Sequence, residues 1–132
     1  MSLPVRNLRF DRLLDSLLKE PPEKVAQIVN ADRTILKEKN SIGENALTWC
    51  ALELKYKEVE LLRSLGCPIQ EQALSEAIQH GNSDMLLLLL ELGGKISKYS
   101  ASQSINIAEK WGANERILHI MKSHLEVYGI NV

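Results

Sequence analysis

The sequence predicts an all-α fold, a solenoid of stacked antiparallel helix pairs. Three observations predict it. Apolar residues recur at helical spacing almost throughout, as in Leu13, Leu14, Leu17, Leu18 and then Val25, Ile28, Val29, while strand-like alternation is scarce. The interruptions are brief: Pro21-Pro22, Gly43, Gly66 to Pro68, Gly81, Gly93-Gly94 and Gly112. Each falls where a helix should start or stop. Finally, the chain resembles itself. Segment 46–69 aligns with 73–96 at an offset of 27, through Ala46/Ala73, Leu47/Leu74, Leu61/Leu88, Leu62/Leu89, Leu65/Leu92, Gly66/Gly93 and Ile69/Ile96.

The elements follow in chain order. The first pair is read over 7–39, where Leu14, Leu17, Leu18, Ala26, Ile28 and Val29 lie 33 residues before Leu47, Cys50, Ala51, Val59, Leu61 and Leu62. Arg6, Arg9 and Arg12 are interleaved there with Leu8, Phe10 and Asp11, the pattern of the wet side of an amphipathic helix. The second pair, 40–69, opens on a turn with Asn40 and Gly43 and is capped by Asn45 ahead of "ALTWCALEL", since an asparagine side chain accepts from an orphan N–H of the first turn. The third pair, 70–97, contains "NSDMLLLLLELGG", with Asn82 and Ser83 as candidate caps and Asp84 where the helix dipole favours negative charge. The fourth, 98–128, aligns with the third at an offset of 31 through Leu74/Ile105, Ala77/Ala108, Gly81/Gly112, Asp84/Glu115, Leu86/Ile117 and Leu89/Ile120, with Asn114 as its cap. About eight short helices result, and no linker of disordered composition separates them, so 1–132 reads as one domain.

Five consecutive leucines, Leu86 to Leu90, cover every face of a helix. An inner position, with neighbours on several sides, would hide most of them. The last helix, "ERILHIMKSHLE", is more polar through Arg116, His119, Lys122 and Ser123, as an end repeat with a wet outer face should be. The leucine run is far too short for the roughly 20 apolar residues of a membrane helix.

At these residues the repeats resemble ankyrin repeats, whose period is about 33 and whose unit is a β-turn followed by two antiparallel helices. The best copy is "NSIGENALTWCALELKYKEVELLRSLGCPI" over 40–69. Its "NALTWCA" is similar to the family's Thr-Pro-Leu-His-x-Ala-Ala stretch. The resemblance spans roughly 10–125 and is weakest at both ends. It departs from the family where Thr-Pro-Leu-His becomes Asn45-Ala46-Leu47-Thr48, then Gln72-Ala73-Leu74-Ser75, then Gln103-Ser104-Ile105-Asn106. The polar network those family residues usually supply is therefore altered. The offset of 27 also shortens the turn between Ile69 and Ala73, leaving only Asn40 to Asn45 as a full finger. Tetratricopeptide-like units have a similar period, but their Trp, Gly-Tyr and Phe signature positions do not appear.

The residues offer little chemistry. Sixteen basic and seventeen acidic side chains give a net charge of −1 and no basic stripe, which disfavours nucleic acid and anionic membranes. His119 and His124 are five apart, turned about 140° from one another on a helix, and His80 stands alone; a zinc pair wants a spacing of four. Cys50 and Cys67 fit small packing positions, and with no signal peptide read at the start a reducing, cytoplasmic setting with free thiols is expected. Gly93-Gly94 lacks any phosphate-loop context and reads as a helix stop. No catalytic residue, cofactor or metal is expected.

The resemblance implies a non-enzymatic protein-interaction module that binds another protein through the concave surface of turn tips and first helices. It could be monomeric or weakly self-associating, and a self-associating structural unit is the alternative. Carried over by position, the surface comprises Ile42 and Glu44 on the finger, Trp49, Leu52 and Glu53 on the following helix, Gln79 and His80 in the third repeat, and Lys110 and Trp111 in the fourth. Ile42 is apolar at a turn tip, and an exposed Trp111 would be typical of an interface anchor. Glu44, Glu53 and His80 would give a mildly acidic setting.

Overall fold

In the computed structural model, residues 6–110 and 115–127 are described, and every element among them is helical. Eight α-helices run α1 Leu8–Lys19, α2 Pro22–Ala31, α3 Ala46–Leu52, α4 Tyr56–Ser64, α5 Glu71–Gln79, α6 Ser83–Glu91, α7 Lys98–Lys110 and α8 Glu115–Val127, with a 3-10 turn at Arg33–Lys37. Extended pairing among the described residues is confined to an isolated antiparallel bridge between Lys39 and Asn45. The chain divides into two compact units, 1–70 and 71–132. The division falls at the start of the third helix pair that the sequence predicts, 70–97.

In the first unit α1 pairs with α2 and α3 with α4, while α1 also packs on α3 and the 3-10 turn closes against α1 and α2. Asn7 caps α1 by accepting from the N–H groups of Arg9 and Phe10, and its own Nδ2 donates to Glu38 Oε2 at 2.8 Å and to the Lys39 carbonyl at 2.9 Å. Arg9 ties α1 to the 3-10 turn through the carboxylates of Asp32 and Glu38 and the hydroxyl of Thr34. The basic side of α1 is thus a brace as well as a solvated face. Phe10, Leu13, Val25, Val29, Leu47, Cys50, Val59 and Leu62 fill the interior.

In the second unit α5 pairs with α6, α7 packs on α5, and α8 packs on α6. First helix lies on first helix and second on second. Leu74, Ile78, Met85, Leu86, Leu89, Ile117 and Met121 are fully buried. Arg116 reaches from α8 to the start of α6, donating to Asp84 Oδ1 at 2.6 Å and Ser83 Oγ at 3.2 Å. Where the sequence suggested only a wet face, α8 therefore uses a cation against the first turn of α6.

The five leucines of α6 are not covered equally. Leu86 and Leu89 are buried, Leu88 and Leu90 are half-buried, and Leu87 is 36% exposed. The physical reason is that five residues at 100° each sweep the full circumference, whereas α5 and α8 cover only part of it. The expected cap also differs: Asn82 makes no side-chain bond to α6, and Ser83 is already its first residue. The Asn82 N–H instead closes the preceding loop on the Ala77 carbonyl at 2.8 Å.

That loop recurs. Four helices end with the same pair of backbone hydrogen bonds around one residue of positive φ: Leu54 after α3, Gly66 after α4, Gly81 after α5 and Gly93 after α6. Leu54 and Gly81 are 27 apart, as are Gly66 and Gly93, so the sequence offset reappears as the same hydrogen-bond pattern around a positive φ. Leu54 alone does this with a side chain, at φ +57°, a conformation that costs an L-residue about 1–2 kcal/mol.

Candidate functional site: the finger and the end of α3

Between the 3-10 turn and α3 the chain makes a tight finger. The Gly43 N–H donates to the Asn40 carbonyl at 3.1 Å, and the Asn40 N–H donates to the Glu44 carbonyl at 2.9 Å. Asn40 then fills the loop with its side chain. Its Oδ1 accepts from Ile42 N–H at 3.1 Å and Glu44 N–H at 2.9 Å, and its Nδ2 donates to Glu44 Oε1 at 2.8 Å. Gly43 takes φ +83°, which glycine adopts without the penalty of a Cβ.

Below the finger lies a polar knot. Asn45 Oδ1 accepts from Thr48 N–H at 2.9 Å, as the sequence predicts of a helix cap, while Asn45 Nδ2 donates to the Pro68 carbonyl at 2.9 Å. Gln70 completes it. Its Oε1 accepts from the Asn45 N–H at 2.9 Å and the Thr48 hydroxyl at 2.6 Å, and its Nε2 donates to the Gly43 carbonyl at 3.0 Å. Asn45 and Thr48 are buried, so these bonds satisfy groups that would otherwise be stranded away from water. The knot fixes the finger to the base of α3. Nothing in the local sequence marks Gln70, whose partners lie 22 to 27 residues earlier.

The predicted surface residues fall into separate groups. Ile42 stands at the tip with 70% of its surface exposed. Glu44 does not: it is buried and hydrogen-bonded to Asn40, part of the finger's frame rather than its outer surface. Trp49 and Leu52 are half-buried and Glu53 is exposed. At spacings of three and four from Trp49, Leu52 and the C-cap residue Glu53 lie on one side of the end of α3. Two apolar residues that the sequence did not single out follow directly, Leu54 at 43% and Tyr56 at 38% exposure. The offset of 27 was the available signal for Leu54, since it sets a leucine against Gly81.

In the second unit Gln79 and His80 are exposed at the end of α5, and His80 Nε2 lies 2.9 Å from Glu76 Oε2 one turn back. Lys110 is exposed at the last residue of α7. Trp111 and the predicted cap Asn114 lie outside the described residues.

Both cysteines are free and buried. Burial pushes the Cys50 thiol up to about 12, with Glu58 adding to the shift, and pushes Cys67 up to about 11. Neither supplies a thiolate near neutral pH, and the thiolate is the nucleophile. Among the described residues no three His, Cys, Asp or Glu side chains gather as a metal site would require. No helix among them is long and apolar enough to cross a membrane.

Compared with protein-family models, with curated proteins and with solved structures, the chain matches none.

Proposed function

We propose that this chain is a non-enzymatic protein-interaction module of the ankyrin type, which engages a partner protein through the finger and the surface of the first helices. One observation carries the reading. Ile42, a large apolar side chain, is held out to solvent on a loop whose conformation is fixed by the Asn40 bonds and the Gln70 knot. An isoleucine at 70% exposure contributes little to the fold. A rigid support lowers the ordering cost of inserting it into a partner's pocket. The face of α3 with Trp49, Leu52 and Glu53 extends the same element, and aromatic residues are enriched at such surfaces. The repeat offset, expressed twice in the helix-ending loops, supports the ankyrin-type arrangement, and the shortened second turn leaves Ile42 on the full finger.

The test is site-specific photo-crosslinking in lysate of the source cell, with benzoylphenylalanine at position 42 and, as control, at exposed position 60. A heterologous adduct formed from position 42 alone, and lost when unlabelled wild type but not Ile42→Asp competes, is the expected result. An adduct at twice the mass of the chain would replace this reading by self-association. Equal adduct patterns from both positions would refute the finger as the contact.

A further inference from the structure

We propose that a cavity of about 260 Å³ between the 3-10 turn and the loop after α4 receives an acidic side chain of a protein partner. This rests on the interaction reading above. The cavity is lined by Arg33, Thr34, Leu36, Lys37, Gly66 and Pro68, so it presents two cations and no carboxylate.

The charges around it have been sorted by the fold. Of the acidic side chains between residues 32 and 44, Asp32 and Glu38 are both engaged by Arg9, with Thr34 and Asn7 as further partners, and Glu44 is buried against Asn40. The lysines are exposed at 37 and 39, and among the described residues neither ammonium has a carboxylate partner. A chain of net charge −1 therefore carries a locally cationic hollow.

Arg33 is held in position. Its Nη2 donates to the Leu65 carbonyl at 2.6 Å and its Nη1 to Asn30 Oδ1 at 3.4 Å. These use two of the five guanidinium N–H groups, which leaves three for a ligand on an already oriented fork. Gly66 permits the approach: a Cβ there would stand 3.0 Å from Arg33 Nη2. Orientation matters because a guanidinium binds a carboxylate best through two parallel bonds.

The walls favour a side chain over a free ion. Leu36 is buried and forms an apolar wall together with Pro68, suited to the methylenes of an aspartate or glutamate.

The experiment uses the full chain as bait for a random-peptide display library, with binding of the enriched peptides then measured by fluorescence anisotropy. Peptides enriched in Asp and Glu are expected, and Lys37→Glu should weaken them about tenfold by replacing an attraction with a repulsion. Arg12→Glu changes the net charge equally on another part of the same unit and should leave binding within about twofold if only local pairing matters. Lys37 is exposed, and all variants must match wild type in circular dichroism. Enrichment without acidic residues, no enrichment, or equal losses from the two variants would overturn the proposal. Inorganic phosphate is added at matched ionic strength. If it displaced the peptides beyond the chloride control, and did so through Lys37, the cavity would be a phosphate site and the assignment to a partner's side chain would fall. Crosslinking from position 42 without Lys37-dependent acidic peptides would sink this inference alone. Lys37-dependent acidic peptides without that crosslinking would place the error in the finger.

Discussion

Gln70 is the side chain on which the finger depends, and its removal gives a graded prediction. In Gln70→Ala the Asn45 N–H and the Thr48 hydroxyl lose their acceptor, on residues 1% and 0% exposed. A stranded buried donor costs about 1–3 kcal/mol. The Gly43 carbonyl belongs to an exposed residue and rehydrates at little cost. Because Gln70 is itself half-buried, water can enter part of the vacated space, which places the sum toward the low end, about 2–3 kcal/mol. Gln70→Glu keeps both acceptor functions but sets a carboxylate oxygen where Nε2 donated to the Gly43 carbonyl, a repulsion that the exposed Gly43 can relieve by turning to water, so it should cost less than the alanine substitution. Urea unfolding followed by Trp49 fluorescence in a Trp111→Phe background reads the unit concerned. With a urea slope of about 1–3 kcal/mol/M, the alanine variant should shift the midpoint by roughly 0.7–3 M. In a Thr48→Val background the alanine substitution should cost less, since one stranded donor is gone. An alanine variant within about 0.5 kcal/mol of wild type, or a glutamate variant as damaging as alanine, would refute the argument that the knot is held by Gln70 as acceptor.

Leu89→Ala should destabilise by about 2–5 kcal/mol and Leu87→Ala by less than about 1 kcal/mol, because only the former empties a fully buried site; equal losses in urea unfolding would contradict the assigned faces of α6. Cys50 and Cys67 should resist a thiol reagent at pH 8 in the native chain and react at once in urea; their raised values also mean that thiol burial favours folding below the ordinary thiol pKa near 9, with that contribution lost as pH rises toward 11–12. Glu71 is held below the ordinary carboxylate range chiefly by the bond its Oε1 accepts from the Ser97 N–H. Its contribution is present above the unfolded-state value near 4.5 and is lost as pH falls through the depressed native one, so Glu71→Gln should flatten the acid limb of the stability profile.

The sequence carried local information well and distant pairing poorly. The helices, the Asn45 cap and the offset of 27 were legible because each is encoded within a few residues or by direct repetition. Gln70 was not legible: a glutamine at the end of a short turn has no signature, and its role exists only once α3 and the turn are brought together. Glu44 was misjudged for a related reason. A glutamate beside a turn glycine ordinarily faces water, yet here Asn40 folds back over it and takes its carboxylate inward. The leucine run left its one exposed member unidentified, since composition fixes how apolar a helix is but the neighbours decide which side they cover.

Leu54 joins these two kinds of information. The repeat says that its position should hold a residue tolerant of positive φ, as Gly81 is, and the backbone at φ +57° agrees. A residue that conflicts with its own backbone, and leaves 43% of a leucine in solvent, serves neither local conformation nor burial well. Strain of this kind persists where the surrounding structure over-determines the loop, and it gathers at functional positions. The six-residue ring closed by the Lys55 N–H on the Cys50 carbonyl at 2.8 Å supplies the over-determination. Leu54→Gly should therefore relieve the backbone at little cost in burial and leave urea stability equal to or above that of wild type, and a loss of more than about 1 kcal/mol would show that the leucine side chain serves the fold after all.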